Sequence, residues 1–189
     1  MSIAYEPVDR DDGADYAAFL LSEPWPFHAA GAVDPVAIAE RVAAGEYTTA
    51  DVETFWIVAD GARAGIVKVF DLVDDTPLFD LRIASAYRGR GIGKETVRWL
   101  VRHVFTTRPE ARRVEGTTRA DNAAMRAVFR ATGFAKEAHY RDGWPGVDGA
   151  LHDSIGYAIL RRDWLSGTVT PVNWDDEAVR GGPSRRSSR

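Results

Sequence analysis

The sequence predicts a mixed α/β fold in which a mostly antiparallel central sheet carries helices on both faces. Two patterns predict it. Strand patterns joined by a tight turn in the first half are typical of an antiparallel meander. In the second half, strand and helix patterns alternate in the order β-α-β-α-β-β, which is typical of helices packed against one shared sheet.

Two helices are predicted near the start of the chain. Apolar residues between positions 16 and 20 have helical spacing, and the pattern stops before Pro24. A second helix has Asp34 as its N-cap and Pro35 at its first position, and it ends at Gly45. These helices precede the predicted meander.

The meander comprises three predicted strands. Residues 55–58 form an apolar strand, Asp60-Gly61 is a tight-turn signal, and residues 65–72 form the returning arm. Residues 77–85 make the third strand.

The second half contains two helices and three strands. One helix presents an apolar face between positions 97 and 105, and residues 114–119 form a short strand after it. Asp121 caps a second helix that ends at Gly133. The last two strands cover residues 135–141 and 154–160.

The composition is that of a single globular domain. The chain has 189 residues, of which 45% are hydrophobic and 28% charged, enough apolar mass for a core. We expect one domain over residues 1–177 and a disordered basic tail over residues 178–189, where glycine, serine and arginine dominate. The absence of cysteine excludes disulfides and thiol nucleophiles, and the four histidines lack metal-binding spacing, so we expect no metal.

The net charge of −4 argues against nucleic acid or an anionic membrane as the main partner. The first residues lack the basic and apolar regions of a signal peptide, and no apolar run is long enough to span a membrane. We therefore expect a cytoplasmic protein without membrane contact. The basic tail is interpreted as solvated, with RNA or anionic lipid as the alternative partner.

The most informative stretch is a glycine-rich loop between a predicted strand and a predicted helix. Three glycines allow close approach to a ligand, the helix start adds positive potential, and the flanking side chains are basic. This combination indicates a phosphate-bearing ligand, although a plain turn beside a solvated basic helix is the simpler alternative. A Walker A loop and a dinucleotide fingerprint both fail on spacing. The loop residues are Arg88, Gly89, Arg90, Gly91, Ile92, Gly93 and Lys94.

The pattern Arg-x-x-Gly-x-Gly at Arg88, Gly91 and Gly93 resembles the acetyl-CoA loop of the GNAT superfamily of N-acetyltransferases. A second similarity is Asn122 at the start of the next helix, with Gly133-Phe134 at its end. The resemblance covers roughly residues 3–164. Features similar to the branch that acetylates the N-termini of ribosomal proteins are Arg113-Val114-Glu115, Asp121-Asn122 and Asp163-Trp164.

This resemblance implies a GNAT-like acyl-CoA N-acyltransferase fold and acetyl-CoA as co-substrate. The acceptor it implies is a primary amine on a peptide or protein N-terminus or on a small molecule. A CoA-binding regulatory or partner module without turnover is the alternative, and a homodimer is the assembly we consider. The residues implied to contact acetyl-CoA are the backbone amides of residues 88–94, the main chain of Ile83, Ala84 and Ser85, and the side chains of Asn122 and Arg126. Asn122 could instead serve only as a helix cap.

The usual proton donors to the thiolate are missing. Phe129 stands where many family members have tyrosine, and Met125 stands where the ribosomal branch often has serine. Either Tyr140, Tyr157 or Tyr87 substitutes, or water protonates the thiolate.

Three carboxylates are candidates for the base: Glu115, Asp80 and Asp153. Each has a structural alternative. Glu115 could pair with a neighbouring arginine, Asp80 could be neutralised by Arg82, and Asp153 could end a loop.

The acceptor pocket is expected in the loop between the first two helices. Its candidate residues are Trp25, Phe27 and His28, together with Asp153. The aromatic residues could equally belong to the core. A group of aspartates near the cleft strand would favour a cationic acceptor, although two of them are more simply part of an exposed turn. These aspartates are Asp71, Asp74, Asp75 and Asp80.

Overall fold

A computed structural model describes residues 1–28, 34–146 and 149–174. Its seven strands form one sheet in the order β1-β2-β3-β4-β5-β7-β6, and helices pack on both sheet faces. This confirms the predicted fold class. The expected tail at 178–189 lies outside the described residues.

The sheet is antiparallel except between β4 and β5. The strands are β1 (Ile3–Pro7), β2 (Val52–Ala59), β3 (Ala62–Phe70), β4 (Leu78–Ile83), β5 (Arg113–Arg119), β6 (Ala135–Pro145) and β7 (Leu151–Leu160). The helices are α1 (Gly13–Leu21), α2 (Pro35–Ala43), α3 (Ile92–Thr107), α4 (Ala123–Ala131) and α5 (Arg161–Ser166).

The predicted hairpin is present as β2 and β3, because Asp60 and Gly61 both adopt the positive φ angles, 49° and 83°, that a tight two-residue turn needs. The sequence patterns did not predict β1 or α5. Strand β1 is short and half polar, and its partner β2 lies about fifty residues away, so its pairing is set by tertiary contacts.

Two apolar clusters hold the layers together. The larger one lies between the sheet and the helices α3 and α4, and it includes Leu100, Val114 and Phe129. The smaller one lies on the opposite face beneath α1 and α2, around Tyr16 and Trp56. The sheet thus separates two helical layers. No helix in the described ranges combines the length and the apolar character that crossing a membrane requires.

Candidate functional site

The site begins where the two parallel strands separate. Strands β4 and β5 are paired at one position only, Leu78 with Glu115, and the Glu115 amide donates to the Pro77 carbonyl over 3.0 Å. Beyond this point they diverge. A cleft of ≈ 690 Å³ opens there, lined from both sides of the sheet because successive side chains of β4 point to opposite faces.

One end of the cleft is a cradle of backbone amides, formed by residues 89–94. Gly89 and Gly91 have φ angles of 75° and 84°, and Gly91 is the N-cap of α3 without any side-chain cap. Among the described residues, no acceptor receives the amide hydrogens of residues 89–94. Free amides at a helix start, where the dipole is positive, are the arrangement that binds phosphate.

Gly93 lets the start of α3 approach the sheet. A Cβ atom at this position would lie 3.3 Å from Ile83 Cδ1 and 3.6 Å from Val128 Cγ2. The glycine therefore brings the cradle close to the open end of β4 and to α4. Lys94 also lines the cleft, and no carboxylate among the described residues pairs with it.

Two basic residues of the loop have other contacts. The Arg88 amide donates to the Ser85 carbonyl over 3.2 Å, so we do not count it in the cradle, and the expectation that it binds phosphate stays a prediction. The Arg90 guanidinium lies 5.5 Å from the centre of the Tyr87 ring.

The main chain of residues 83–85 is already used within the protein. The Ser85 amide donates to Glu23 Oε1 over 2.6 Å, and the Ala84 amide donates to the Ala64 carbonyl over 2.9 Å. The Ile83 carbonyl accepts from Arg88 Nε over 2.8 Å. The expected pairing of these groups with the pantetheine arm stays a prediction, and the Ser85 amide would have to exchange Glu23 for the ligand.

Asn122 lines the cleft and also caps α4. Its Oδ1 accepts from the Met125 amide over 3.1 Å, and its Nδ2 donates to Thr118 Oγ1 over 3.0 Å. Arg126 does not line the cleft. Its Nη1 donates to the Ala120 carbonyl over 2.7 Å, and its Nε lies 3.2 Å from the Tyr157 hydroxyl, while its expected contact with acetyl-CoA stays a prediction.

The other side of the cleft brings together Trp25, Phe27 and His28 from the α1–α2 connection and Asp80 from β4. His28 Nε2 lies 3.0 Å from Asp80 Oδ1 and 3.2 Å from the Leu81 carbonyl oxygen, so this nitrogen carries the proton. Arg82 Nε donates to Asp80 Oδ2 over 3.1 Å. The side chains of His28, Asp80 and Arg82 thus form one charge network.

The network fixes the charge of Asp80. Burial alone would raise the pKa of its carboxyl group, but the hydrogen bond and charge of His28, with those of Arg82, outweigh burial and lower the pKa to about 2. Asp80 is therefore a carboxylate throughout the physiological range, and its basicity is too low for efficient general-base catalysis near neutral pH.

Three other predicted site residues do not line the cleft. Glu115 accepts from Arg113 Nη2 over 2.6 Å on the sheet surface. This is the pairing with a neighbouring arginine that was the alternative to a role as base. Tyr140 is 57% exposed on β6, the edge strand of the sheet. Asp153 pairs with His139 Nε2 over 2.7 Å in the β6–β7 hairpin. Glu115 lies outside the cleft because successive side chains of β5 point to opposite faces of the sheet. Tyr140 and Asp153 lie outside it because β7 and β6 are the last two strands of the sheet.

The positions of the missing thiolate donors are in the cleft, because Met125 and Phe129 both line it. Of the tyrosines considered as substitutes, Tyr87 lines the cleft. Tyr157 is buried, stacks on Phe129 with ring centres 4.6 Å apart, and lies against Arg126.

Sequence reasoning missed two residues that hold the acceptor side in place. Glu23 bridges the Ser85 amide and the Arg88 guanidinium, 62 and 65 positions away. Arg119 donates to the Pro26 carbonyl over 3.0 Å across 93 positions. No local pattern could have identified either contact.

A helix start with unpaired amides beside a separated parallel strand pair defines the class: a mixed-sheet protein with a cleft where the two strands diverge. The sequence model of the family described as acetyltransferase (GNAT) domain matches residues 4–135, more than half of the chain, so the chain belongs to this family. The expected resemblance is thereby confirmed.

A curated relative is the "Putative ribosomal N-acetyltransferase YdaF" of Bacillus subtilis (strain 168), 31% identical over 110 residues. The match covers 57% of this chain and 59% of that relative, less than two thirds of its length.

Two solved structures show the same fold. Mycobacterium smegmatis RimJ, in complex with CoA-disulfide, has a TM-score of 0.73 at 23% identity over 85% of this chain and 83% of that chain. The dodecameric spermidine N-acetyltransferase of Vibrio cholerae has a TM-score of 0.74 at 14% identity over 87% of this chain and 97% of that chain.

Proposed function

We propose that this protein transfers the acetyl group of acetyl-CoA directly to a primary amine, on a small molecule or on the N-terminus of a polypeptide. The observation that carries the proposal is the amide cradle of residues 89–94, whose hydrogens have no acceptor among the described residues and most of whose residues line the cleft. Family membership supports the same reaction.

The residues of the cradle fit a CoA pyrophosphate. Gly89 and Gly91 leave the cradle open, since a Cβ atom at either position would meet nothing within 4 Å, and Lys94 supplies an unpaired positive charge among the described residues. Asn122 borders the same cleft. Acetyl-CoA, when bound, supplies an acetyl group activated as a thioester.

We assign the rest of the protein's contribution to holding acetyl-CoA and the amine in place. The cradle and the wall formed by Trp25, Phe27 and His28 line one cleft, so they would hold donor and acceptor together and make the reaction effectively unimolecular. Because the pKa of Asp80 is about 2, the proton of the amine passes to water rather than to this carboxylate. Of the three tyrosines considered as proton donors to the thiolate, Tyr87 is the one that lines the cleft.

The test is release of CoA thiol that depends on an added amine. The chain contains no cysteine, so a thiol reagent reports CoA without any background from the protein. We expect thiol release with at least one amine and none without an acceptor. Tight binding of acetyl-CoA without release under any acceptor would contradict the proposal.

That contrary result would favour the second candidate, a CoA-binding module without turnover. The observation that favours it is the pair Phe129 and Met125, which line the cleft where a proton donor is usual and cannot donate a proton themselves. Calorimetry with acetyl-CoA beside the thiol assay separates the two candidates.

The cytoplasmic location, the homodimer and the single domain over residues 1–177 stay predictions. Sedimentation of the full chain with and without CoA tests the assembly: a dimer has twice the 20.8 kDa mass of the chain.

A further inference from the structure

We infer that the acceptor pocket takes a primary amine borne on an uncharged apolar body, alkyl or aromatic, and rejects polyamines. This inference rests on the proposed acetyl transfer and specifies its acceptor. It is drawn from the wall of the cleft opposite the cradle, where apolar rings and internally paired charges meet.

The wall is mainly aromatic. Trp25 and Phe27 come from the α1–α2 connection, Phe70 from β3 and Trp144 from β6, and Leu78 adds an aliphatic surface. Such a wall stabilises an apolar group by removing its surface from water, about 25 cal/mol for each Å² buried.

The rings of this wall already carry cations of the protein. Trp25 has the guanidinium groups of Arg82 and Arg88 at 5.7 and 5.6 Å from its ring centre. Phe27 has the Arg119 guanidinium at 5.1 Å.

Phe70 follows the same rule, because Lys68 Nζ lies 5.6 Å from its ring centre. An aromatic wall can bind a cationic ligand through its ring faces, but Trp25, Phe27 and Phe70 already have cations of the protein beside them. Because Arg82, Arg88 and Arg119 are themselves paired with carboxylates, a polyamine meets occupied ring faces here rather than a net positive charge.

The wall also offers no unpaired carboxylate. Asp80 is the acidic residue among the described residues that line the cleft, and it is bound by both His28 and Arg82. Asp71, Asp74 and Asp75 do not line the cleft, and Asp75 pairs with Arg112. These three aspartates therefore give no support to the expectation of a cationic acceptor.

Arg82 is bound to Asp80 in turn, so the pocket has no free cation for an acidic acceptor at this point either. What is left to select the acceptor is shape, apolar surface and His28 Nδ1, a buried nitrogen without a hydrogen-bond partner among the described residues. Two sources supply this chemistry, a free arylalkylamine and the α-amine of a peptide with a large apolar first residue.

The experiment compares four acceptors with the wild-type chain in the thiol assay: phenethylamine, a short peptide amide beginning with phenylalanine, the same peptide beginning with aspartate, and spermidine. We expect at least one of the two apolar acceptors to exceed spermidine in kcat/KM by about tenfold or more, corresponding to 1.4 kcal/mol or more. The two apolar arms decide between the sources. Equal or better turnover of spermidine overturns the inference.

Removing one cation of the wall sharpens the test. Arg82→Gln takes the guanidinium from Trp25 and leaves Asp80 with one partner fewer, so we expect the spermidine-to-phenethylamine ratio of kcat/KM to rise about tenfold. Arg112→Gln is the matched control, because Arg112 pairs with Asp75 outside the cleft, and its ratio should stay unchanged. A ratio that does not move in Arg82→Gln, or that moves equally in both variants, contradicts the inference.

Calorimetry of the same amines with the CoA-loaded wild-type protein distinguishes failure of the inference from failure of the proposed function. Preferential binding of phenethylamine without thiol release supports the pocket's selectivity and refutes turnover. Tighter binding of spermidine, with or without release, refutes the selectivity.

Discussion

The two ends of the cleft differ in how their polar groups are satisfied. In the cradle, the amides of residues 89–94 have no acceptor among the described residues. At the acceptor wall, Asp80 binds both Arg82 and His28, and Arg119 donates to the Pro26 carbonyl, while His28 Nδ1 has no hydrogen-bond partner among the described residues.

Buried or half-buried polar groups are costly unless they are paired. The cradle therefore indicates a ligand that supplies negative charge, whereas the wall indicates a ligand that needs none. The two proposals follow from this contrast: a CoA pyrophosphate at the cradle and an amine on an apolar body at the wall.

The largest effect is expected from a charge placed in the cradle. Gly91→Glu puts a carboxylate where a pyrophosphate binds, so acetyl-CoA affinity should fall at least ~100-fold in calorimetry. Gly61→Glu is the control, since Gly61 has a φ of 83°, close to the 84° of Gly91, in the β2–β3 turn outside the cleft lining. Both variants should lose similar stability from backbone strain. Equal affinity in the two variants would show that the cradle does not hold the phosphates.

The next effect concerns the charge network of the wall. Burial opposes ionisation of Asp80, yet its pKa falls from 3.8 to about 2, which corresponds to about 2 kcal/mol of stability, reduced to about 1–2 kcal/mol because its side chain is 35% exposed. A lowered pKa stabilises the fold above the unfolded value, and this stability is lost as the pH falls from about 4 to about 2.

Asp80→Asn should therefore lower the free energy of unfolding at neutral pH, and the difference from wild type should shrink over that pH window. Urea unfolding at a series of pH values measures it. Asp74→Asn, on an exposed residue outside the cleft, is the control and should show no such difference. A difference for Asp80→Asn that stays constant with pH would contradict the network.

Asn122 lies beside both ends and should have a smaller effect. Asn122→Ala removes the cap of α4 and should cost about 0.5–1 kcal/mol in the free energy of unfolding. Asn122→Ser keeps a capping oxygen and should recover most of that loss. If the serine variant is as unstable as alanine, the bond from Nδ2 to Thr118 is the contact that matters.

The smallest effect is expected at Tyr140. Its side chain is 57% exposed and does not line the cleft, so Tyr140→Phe should leave kcat/KM within about twofold of wild type. Tyr87→Phe, on the tyrosine that does line the cleft, is the comparison variant. If kcat/KM falls tenfold or more in Tyr140→Phe but not in Tyr87→Phe, the acceptor site includes the edge strand β6 and the prediction is wrong.

The cradle could be predicted from the sequence because it is local. Its glycines, its helix start and its basic residues lie within seven consecutive positions, and their conformations follow from short-range rules. The same holds for the turn at Asp60-Gly61, whereas the predicted cap Asp121 is wrong by one residue, because Asn122 is the N-cap of α4.

The wall could be predicted only in part, because its contacts join distant positions. Trp25, Phe27 and His28 were expected at the acceptor pocket and do line the cleft, but the pairing of His28 with Asp80 depends on how the α1–α2 connection folds over β4. Glu115 and Tyr140 were misplaced for the same reason: the face and position of a strand within a sheet are set by its partners.

The most direct test of the central claim follows the amide signals of the cradle by two-dimensional NMR while CoA is added. If residues 89–94 seat the pyrophosphate, the amides of Gly89, Gly91 and Gly93 should show the largest shifts in the spectrum, and the same amides should respond to inorganic pyrophosphate alone. CoA binding that leaves these three signals in place would contradict the account.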